Sequence, residues 1–327
     1  MKREKIFSFH MSPRSPFDFK LTLRKWGGWG WLTPFEVFEN NTLWTGMRLD
    51  GEPIGLKILS KGTIRLPKVK VDVFAKRSVL RQRKNIKNIV KNAIGADQDL
   101  RPFYALCQKD RVLREVKKDL YGMHTGEGVS LFDLAVLTVT LQMAPVKRSL
   151  DMLYAMFRLY GEEIQFDNKK VLIYPTPQRL SRVSERELKT KCRVGYRAKF
   201  IKGLTARHLG GEFPTKESLM AVGHEEAKRQ LLSLPGIGDY SADILNPHRG
   251  FPLDIWSVKL FIRLFHIRQT CSFREMIPLV KRWGEKRWGD YRGLVFDYIL
   301  HDLPSLKRKF KVELGNLATD YLDPGQG

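Results

Sequence analysis

The spacing of apolar side chains changes near residue 73. Before that point, short apolar runs bounded by glycine and proline predict β-strands at 17–23, 42–49 and 54–59. Asp50-Gly51 between the last two predicts a hairpin with a tight turn. After residue 73 the apolar spacing is helical and predicts a basic helix at 74–94, then helices at 103–121, 131–144, 146–159, 185–209, 217–232, 240–245, 255–265, 273–283 and 291–301. The pattern predicts an α+β fold, mainly α, with a β-rich domain at 1–100 that ends in the basic helix and a helical region at 101–327.

Charge points to a polyanionic partner. Lys and Arg number 58 against 35 Asp and Glu, which gives a formal net charge of +23. Such an excess favours binding to a phosphate backbone, because bound counterions are released. A basic but merely solvated surface is the alternative. The basic helix at 74–94 fits that alternative, and no specific contact is assigned to it.

The cysteine residues and the hydropathy of the chain indicate in which cellular compartment the protein lies. The three cysteines are scattered along the chain, so they cannot form a local four-cysteine metal or iron–sulfur site and fit a reducing compartment. No apolar stretch approaches the roughly 20 residues that cross a bilayer, and the first residues do not resemble a secretory signal. We expect a cytoplasmic or nucleoid protein, nuclear in a eukaryote, with no membrane partner.

A glycine turn between two predicted helices is the strongest local feature. Leu234, Pro235, Gly236, Ile237 and Gly238 form it. The two glycines allow a sharp turn and bring backbone N–H groups close to a phosphate without side-chain obstruction. An ordinary turn between helices would use the same residues. We interpret the segment as a DNA-binding hairpin.

Asp254 follows this turn after Phe251-Pro252-Leu253. A carboxylate beside a deoxyribose can stabilise the positive charge that develops when an N-glycosidic bond breaks, and can position water. An aspartate at the head of a predicted helix is also a common N-cap. Because the glycine hairpin lies immediately upstream, we favour a catalytic role for Asp254.

Together the hairpin and Asp254 resemble the helix-hairpin-helix DNA glycosylases. The layout is similar to that of the 3-methyladenine II and 8-oxoguanine enzymes of this superfamily, which implies an antiparallel sheet before two helical subdomains with a DNA cleft. The resemblance places the hairpin and catalytic aspartate at 231–265. It implies a monomeric DNA repair enzyme that excises a damaged base from double-stranded DNA without metal or organic cofactor.

Other segments resemble the same family. Gly195 to Lys199 is similar to its Gly-Tyr-Arg-Ala-Lys segment, which makes Arg197 and Lys199 candidate DNA contacts. Residues 288–293 resemble its Trp-Gly-x-Tyr-x-Gly turn, which implies that Phe296 and Leu300 face the base pocket. The turn before the helix at 146–159 implies Met143, with Gln142 beside it, as the wedge that fills the gap left by a flipped base. Each of these residues could instead be ordinary core or surface.

The family divides at the position of Tyr240. Members that also cut the strand carry a lysine there as a Schiff-base nucleophile. Tyrosine therefore favours a monofunctional enzyme, although Lys228 or Lys259 could act as a displaced lysine, and the Tyr240–Asp254 spacing is shorter than in better-known members. Tyr240 and Trp256 could hold a cationic alkylated purine by cation–π attraction. A bifunctional 8-oxoguanine-type glycosylase/lyase and a non-catalytic, structure-specific DNA-binding protein remain the alternatives.

Overall fold

The structure is a computed structural model that describes residues 3–24, 33, 35–126, 128, 130–268, 272 and 275–312, with the backbone alone at 146. The chain divides into two compact units. The first comprises Met1–Leu100, Tyr121–Asp133 and Leu150–Gly195, and the second Arg101–Leu120, Leu134–Ser149 and Tyr196–Gly327. The chain leaves the first unit after Leu100, and two later segments belong to that unit again.

A five-stranded antiparallel sheet organises the first unit. Its strands are β1 (Lys5–Met11), β2 (Val37–Glu39), β3 (Thr42–Leu49), β4 (Glu52–Ser60) and β5 (Val69–Phe74), in the order β1-β5-β4-β3-β2. The Asp50-Gly51 turn joins β3 to β4 with positive φ at both residues, as the sequence predicts. One face packs on the helices α1 (Phe19–Leu23) and α2 (Arg83–Ala93).

Two strands that the sequence analysis does not anticipate cover the other face. β6 (Glu162–Phe166) and β7 (Lys169–Ile173) form a separate antiparallel hairpin. Their apolar side chains share a cluster with Trp44 and Phe74. Gly46 and Gly55 make room for them, because a Cβ there would lie 2.6 Å from Ile173 Cγ2 and 2.5 Å from Phe166 Cδ1.

Two other segments of the first unit differ from the sequence prediction. Residues 17–23 alternate like a strand, but Asp18 accepts a hydrogen bond from the Leu21 amide at 2.8 Å and caps helix α1 instead. The basic helix predicted at 74–94 is shorter. β5 occupies its start, a 3-10 helix spans Arg77–Gln82, and α2 follows.

The second unit is helical in its described part. Its helices are α3 (Arg101–Gln108), α4 (Arg111–Asp119), α9 (Arg197–Leu209), α10 (Lys216–Met220), α11 (His224–Leu232), α12 (Asp239–Leu245), α13 (Ile255–Phe265), α14 (Met276–Trp288), α15 (Arg292–His301) and α16 (Leu303–Phe310). The helix predicted at 273–283 corresponds to α14, with residues 273 and 274 outside the described part.

Four more helices lie in the described part of the chain. α5 (Leu131–Leu141) and α6 (Val146–Tyr160) each run from one unit into the other, and α7 (Pro177–Ser181) and α8 (Glu185–Lys191) belong to the first. The single helix predicted at 185–209 is two helices, α8 and α9, because Arg193 and Gly195 adopt positive φ between them. Within the described residues, no helix is long and apolar enough to span a bilayer.

Candidate active site

The glycine turn at 234–238 forms a tight hairpin between α11 and α12. Gly236 has a φ of 75°, and the Ile237 amide donates to the Leu234 carbonyl at 3.1 Å. Leu234 and Ile237 are buried, whereas Gly238 is exposed and caps α12. In the described chain, the amides of Gly236 and Gly238 donate to no other group of the protein. Such amides can bind an anion.

Helix α9 packs closely against the hairpin. A Cβ on Gly203 would lie 2.9 Å from Pro235 Cβ, and a Cβ on Gly236 would lie 2.5 Å from Phe200 Cγ. Each of these close approaches is possible because one of the two residues in contact is a glycine. The Gly-Tyr-Arg-Ala-Lys segment therefore starts the helix on which the hairpin rests, which gives the motif a structural reason.

The loop between α5 and α6 is bonded directly to the hairpin. Gln142 Nε2 donates to the Gly236 carbonyl, and Arg197 donates to the Gln142 carbonyl. Arg197 is buried, and its hydrogen bond to Gln142 holds the loop. Lys199 is exposed, with Nζ 4.9 Å from the Phe200 ring centroid.

Met143 is presented by this loop. Its φ is 46°, a left-handed conformation, and 94% of its surface is exposed. The left-handed conformation is unusual for methionine. The burial considered for Met143 from sequence is not observed, whereas its neighbour Gln142 points to the hairpin.

Asp254 caps helix α13. Its Oδ1 accepts hydrogen bonds from the Ser257 amide at 2.7 Å and from Ser257 Oγ at 2.6 Å, and its own amide donates to Ser257 Oγ at 2.8 Å. Within the described chain, Oδ2 accepts no hydrogen bond from the protein. The positive end of the α13 dipole favours a carboxylate here. The N-cap role considered from sequence is real, yet it uses only one oxygen.

An aromatic cluster underlies the segment before Asp254. Phe251 packs edge-on against Phe261 and Phe296, with ring centroids 5.3 and 6.1 Å apart, and Trp288 joins them. Phe296, a predicted pocket residue, is 5% exposed and stacks on Phe261 within this cluster. Burial in a rigid aromatic cluster fixes the loop that carries Asp254.

The remaining predicted pocket residues have different exposures. Trp256, two residues after Asp254, is buried. Tyr240, the second residue of α12, and Leu300, near the end of α15, are half-buried.

The Trp-Gly-x-Tyr-x-Gly turn lies against the same loop. A Cβ on Gly293 would meet the Gly250 carbonyl at 2.6 Å, and one on Gly250 would meet the Asp243 carbonyl at 2.5 Å. These backbone approaches bring the start of α15 and the end of α12 to the residues just before Asp254.

Known proteins with this architecture were found by sequence and by structure. No family model matches the chain. A DNA-3-methyladenine glycosylase of Bacillus subtilis is 23% identical over 219 residues, which cover 64% of this chain and 70% of that protein. A 3-methyladenine DNA glycosylase from Archaeoglobus fulgidus superposes with a TM-score of 0.70 at 17% identity, over 90% of this chain and 98% of that one.

This is the fold of a helix-hairpin-helix DNA glycosylase. The resemblance inferred from the hairpin is confirmed, and so is the predicted fold class. The apo form of an 8-oxoguanine glycosylase/lyase from Clostridium acetobutylicum shares the glycosylase fold, with a TM-score of 0.66 at 15% identity over 92% of this chain and 98% of that one. The structural neighbours thus include enzymes of both the 3-methyladenine and the 8-oxoguanine type.

Lys228 is held by carboxylates in this glycosylase fold. Its Nζ lies 2.9 Å from Asp239 and 3.1 Å from Asp243, and Lys281 also contacts Asp243 at 2.6 Å. Burial lowers the pKa of Lys228, but the hydrogen bond to Asp239 and the charge of Asp243 outweigh it and raise that pKa above its usual value. Lys228 is therefore a protonated ion-pair partner. Lys259 is half-buried on α13.

Some residues of this arrangement are not among the sequence candidates. Phe200 and Gly203 support the hairpin, and Asp243 forms ion pairs with two lysines, Lys228 and Lys281. Ser257 is the exception that the sequence does signal, since Asp-x-x-Ser at the head of a predicted helix is a capping-box pattern.

Proposed function

We propose that this protein is a monofunctional DNA glycosylase that hydrolyses the N-glycosidic bond of a damaged purine in duplex DNA. One observation carries the proposal. The second unit contains both a hairpin with available backbone amides and Asp254, one carboxylate oxygen of which is fixed by Ser257 while the other accepts no bond from the described protein. Binding alone does not require the carboxylate.

The hairpin and the α5–α6 loop would act together on DNA. The Gly236 and Gly238 amides would bind a backbone phosphate and fix the register without reading sequence. Met143, exposed on a loop that Gln142 ties to the hairpin, would fill the gap left when the damaged nucleotide leaves the stack. Arg197 would hold that loop in place from the inside.

Asp254 would act on the extruded nucleotide. As the bond between C1′ and the base nitrogen breaks, positive charge develops on the sugar and the free oxygen of Asp254 stabilises it. Water then adds its oxygen to C1′ and gives up one proton, which goes to the base when the base departs as an anion and to solvent when a cationic alkylated base departs as a neutral molecule. The products are the free base and an abasic site. The hydrogen bonds from Ser257 keep the carboxylate in place throughout.

Hydrolysis without strand cutting is the part of the proposal supported by Tyr240. Strand cutting by β-elimination requires an unprotonated amine that attacks C1′. Tyr240 cannot supply it, and the carboxylates of Asp239 and Asp243 keep Lys228 protonated. A glycosylase/lyase of the 8-oxoguanine type is the second candidate, because one structural neighbour is such an enzyme.

An alkylated or deaminated purine is the proposed substrate class. Alkylation makes the purine cationic and a good leaving group, so the base needs aromatic faces more than acid catalysis. Tyr240 and Trp256 are the aromatic candidates near Asp254 in sequence, and the similar Bacillus protein is a 3-methyladenine glycosylase by name. The enzyme would work as a monomer on nucleoid or nuclear DNA.

The experiment that tests the proposal is a panel of duplexes, each with one lesion. The panel contains hypoxanthine, 1,N6-ethenoadenine, 7-methylguanine and 8-oxoguanine, with an undamaged duplex as the control. Free base is measured directly, and strand breaks are scored with and without later alkali. We expect base release from an alkylated or deaminated purine and strand breaks only after alkali.

Borohydride separates the two candidates. A glycosylase/lyase forms an imine that borohydride reduces to a covalent protein–DNA adduct. We expect no adduct from the wild-type protein. An adduct that disappears in Lys228→Gln or Lys259→Gln would assign the lyase to that lysine, and no base release from any duplex would refute the proposed function.

A further inference from the structure

Helix α2 in the first unit has an unusual exposed face. Its sequence repeats the pair Lys-Asn three times, at 84–85, 87–88 and 91–92. Spacings of three and four residues place these pairs on one side of an α-helix, and all six side chains are exposed. Ile86 and Val90 lie on the opposite side and are fully buried in the sheet core.

Two of the three lysines of this face have no acidic partner in the described chain. The chain has no acidic residue from 73 to 96, and the 3-10 helix before α2 adds Arg77 and Arg81. Lys91 forms an ion pair with Asp97 at 2.5 Å. In the described chain Lys84 makes no ion pair, and Lys87 Nζ lies 5.7 Å from the centroid of the Phe9 ring.

Another surface helix of the same unit shows the usual arrangement. On α8, Lys189 and Lys191 form ion pairs one turn away with Glu185 and Glu187, at 3.3 and 2.6 Å. Such pairs are typical of a solvated helix. Because α8 carries its own compensating acids and α2 does not, a solvated surface alone does not account for α2.

We propose that the Lys-Asn face of α2, formed by the six residues at 84, 85, 87, 88, 91 and 92, binds the sugar–phosphate backbone of duplex DNA. Lysine ammonium groups neutralise phosphates, and asparagine amides donate to phosphate or sugar oxygens. From Lys84 to Lys91 the helix advances about 10 Å, which matches about three base-pair steps of one strand. The choice of DNA as the polyanion rests on the proposed function.

The composition of the face argues against other partners. A protein interface is anchored by buried aromatic or apolar side chains, and helices that bind membranes insert apolar residues. The Lys-Asn face has neither. The face offers ammonium and amide hydrogen-bond donors and has no carboxylate, which suits the acceptor oxygens of a phosphate backbone.

The test uses two matched variants of the full-length protein. The first carries Lys84→Gln, Lys87→Gln and Lys91→Gln. The control carries Arg186→Gln, Lys189→Gln and Lys191→Gln on α8, so that both lose three positive charges. Binding of an undamaged duplex is measured by fluorescence anisotropy between about 50 and 300 mM salt, and thermal unfolding confirms that both variants are folded.

We expect the α2 variant to reduce the slope of log K against log salt by about 2 to 3, because each lost phosphate contact contributes about 0.9. Its Kd at about 100 mM salt rises at least tenfold, whereas that of the α8 control rises about twofold. An α2 variant that behaves like the α8 control would overturn the proposal. So would an α2 variant that keeps DNA binding and loses binding only to phosphatidylserine vesicles or to an acidic peptide.

Failure of this inference is distinguishable from failure of the proposed function. Base release is measured with enzyme in saturating excess over the lesion duplex, where weaker binding does not limit the rate. If the wild-type protein released no base from any duplex, the salt slopes on undamaged DNA would still decide whether α2 binds the backbone.

Discussion

Gly236→Ala would place a methyl group in the hairpin where the structure has no room for it. The φ of 75° lies in the left-handed region, which costs a residue with a Cβ about 1–2 kcal/mol. The same Cβ would lie 2.5 Å from Cγ and 2.7 Å from Cβ of Phe200, so that ring or the hairpin must shift. Such overpacking costs about 1–3 kcal/mol, and the free energy of unfolding should fall by about 2–5 kcal/mol.

Gly238→Ala is the matched control within the same hairpin. No atom lies within 4 Å of a Cβ at Gly238, and its φ of −102° suits any residue. Its effect on stability should stay within about 0.5 kcal/mol. Unfolding of each variant by urea, followed by tryptophan fluorescence, measures the difference.

Anisotropy with an undamaged duplex then shows whether the displaced hairpin also loses DNA affinity. We expect Gly236→Ala to bind at least tenfold more weakly than Gly238→Ala. The double variant Gly236→Ala/Phe200→Ala should recover part of the stability lost through the clash. Equal stability and affinity of the two single alanine variants would refute the reasoning, because it attributes different roles to two glycines of one motif.

Three further outcomes follow from the site and its surroundings. Ser257→Ala removes the hydroxyl that holds Asp254, so base release should fall about tenfold while duplex affinity is kept, and Ser257→Thr should restore the rate. Gln142→Ala removes the bond to the Gly236 carbonyl and should cost about 1 kcal/mol in urea unfolding, with weaker duplex binding by anisotropy. Burial, then the charge of a nearby aspartate, raises the pKa of Asp302 to about 8, so the contribution of Asp302 to stability should fall as pH rises from about 4 to about 8. Asp302→Asn should flatten that part of the urea-unfolding pH profile, and an unchanged profile would contradict the assignment.

Sequence patterns correctly predicted the turns and helix starts that short stretches of the chain determine by themselves. The Asp50-Gly51 hairpin, the glycine turn at 234–238 and the helix headed by Asp254 each depend on a few adjacent residues. The strand predicted at 17–23 was wrong because alternation was weighed without the capping potential of Asp18. The β6–β7 hairpin was overlooked, although Ile164 and Phe166 alternate with polar residues.

Contacts between distant residues could not be predicted in this way. The hydrogen bond from Gln142 to Gly236 joins positions 94 residues apart, and that from Arg197 to Gln142 joins positions 55 apart. No local pattern carries such pairs, so the sequence did not predict the contacts that Gln142 makes with Gly236 and Arg197. A Cβ at position 236 would clash with Phe200, whereas a Cβ at position 238 would meet no atom. Phe200 lies on another helix, so the local sequence does not show this difference either.

Asp254→Asn is the most direct test of the central claim that this carboxylate cleaves the glycosidic bond. Asparagine caps a helix about as well as aspartate, so the fold and the hairpin should be retained. On the lesion duplex that the wild-type enzyme processes fastest, single-turnover base release should fall by at least about 100-fold while the Kd for that duplex changes less than about threefold. Base release by Asp254→Asn at the wild-type rate would contradict the account.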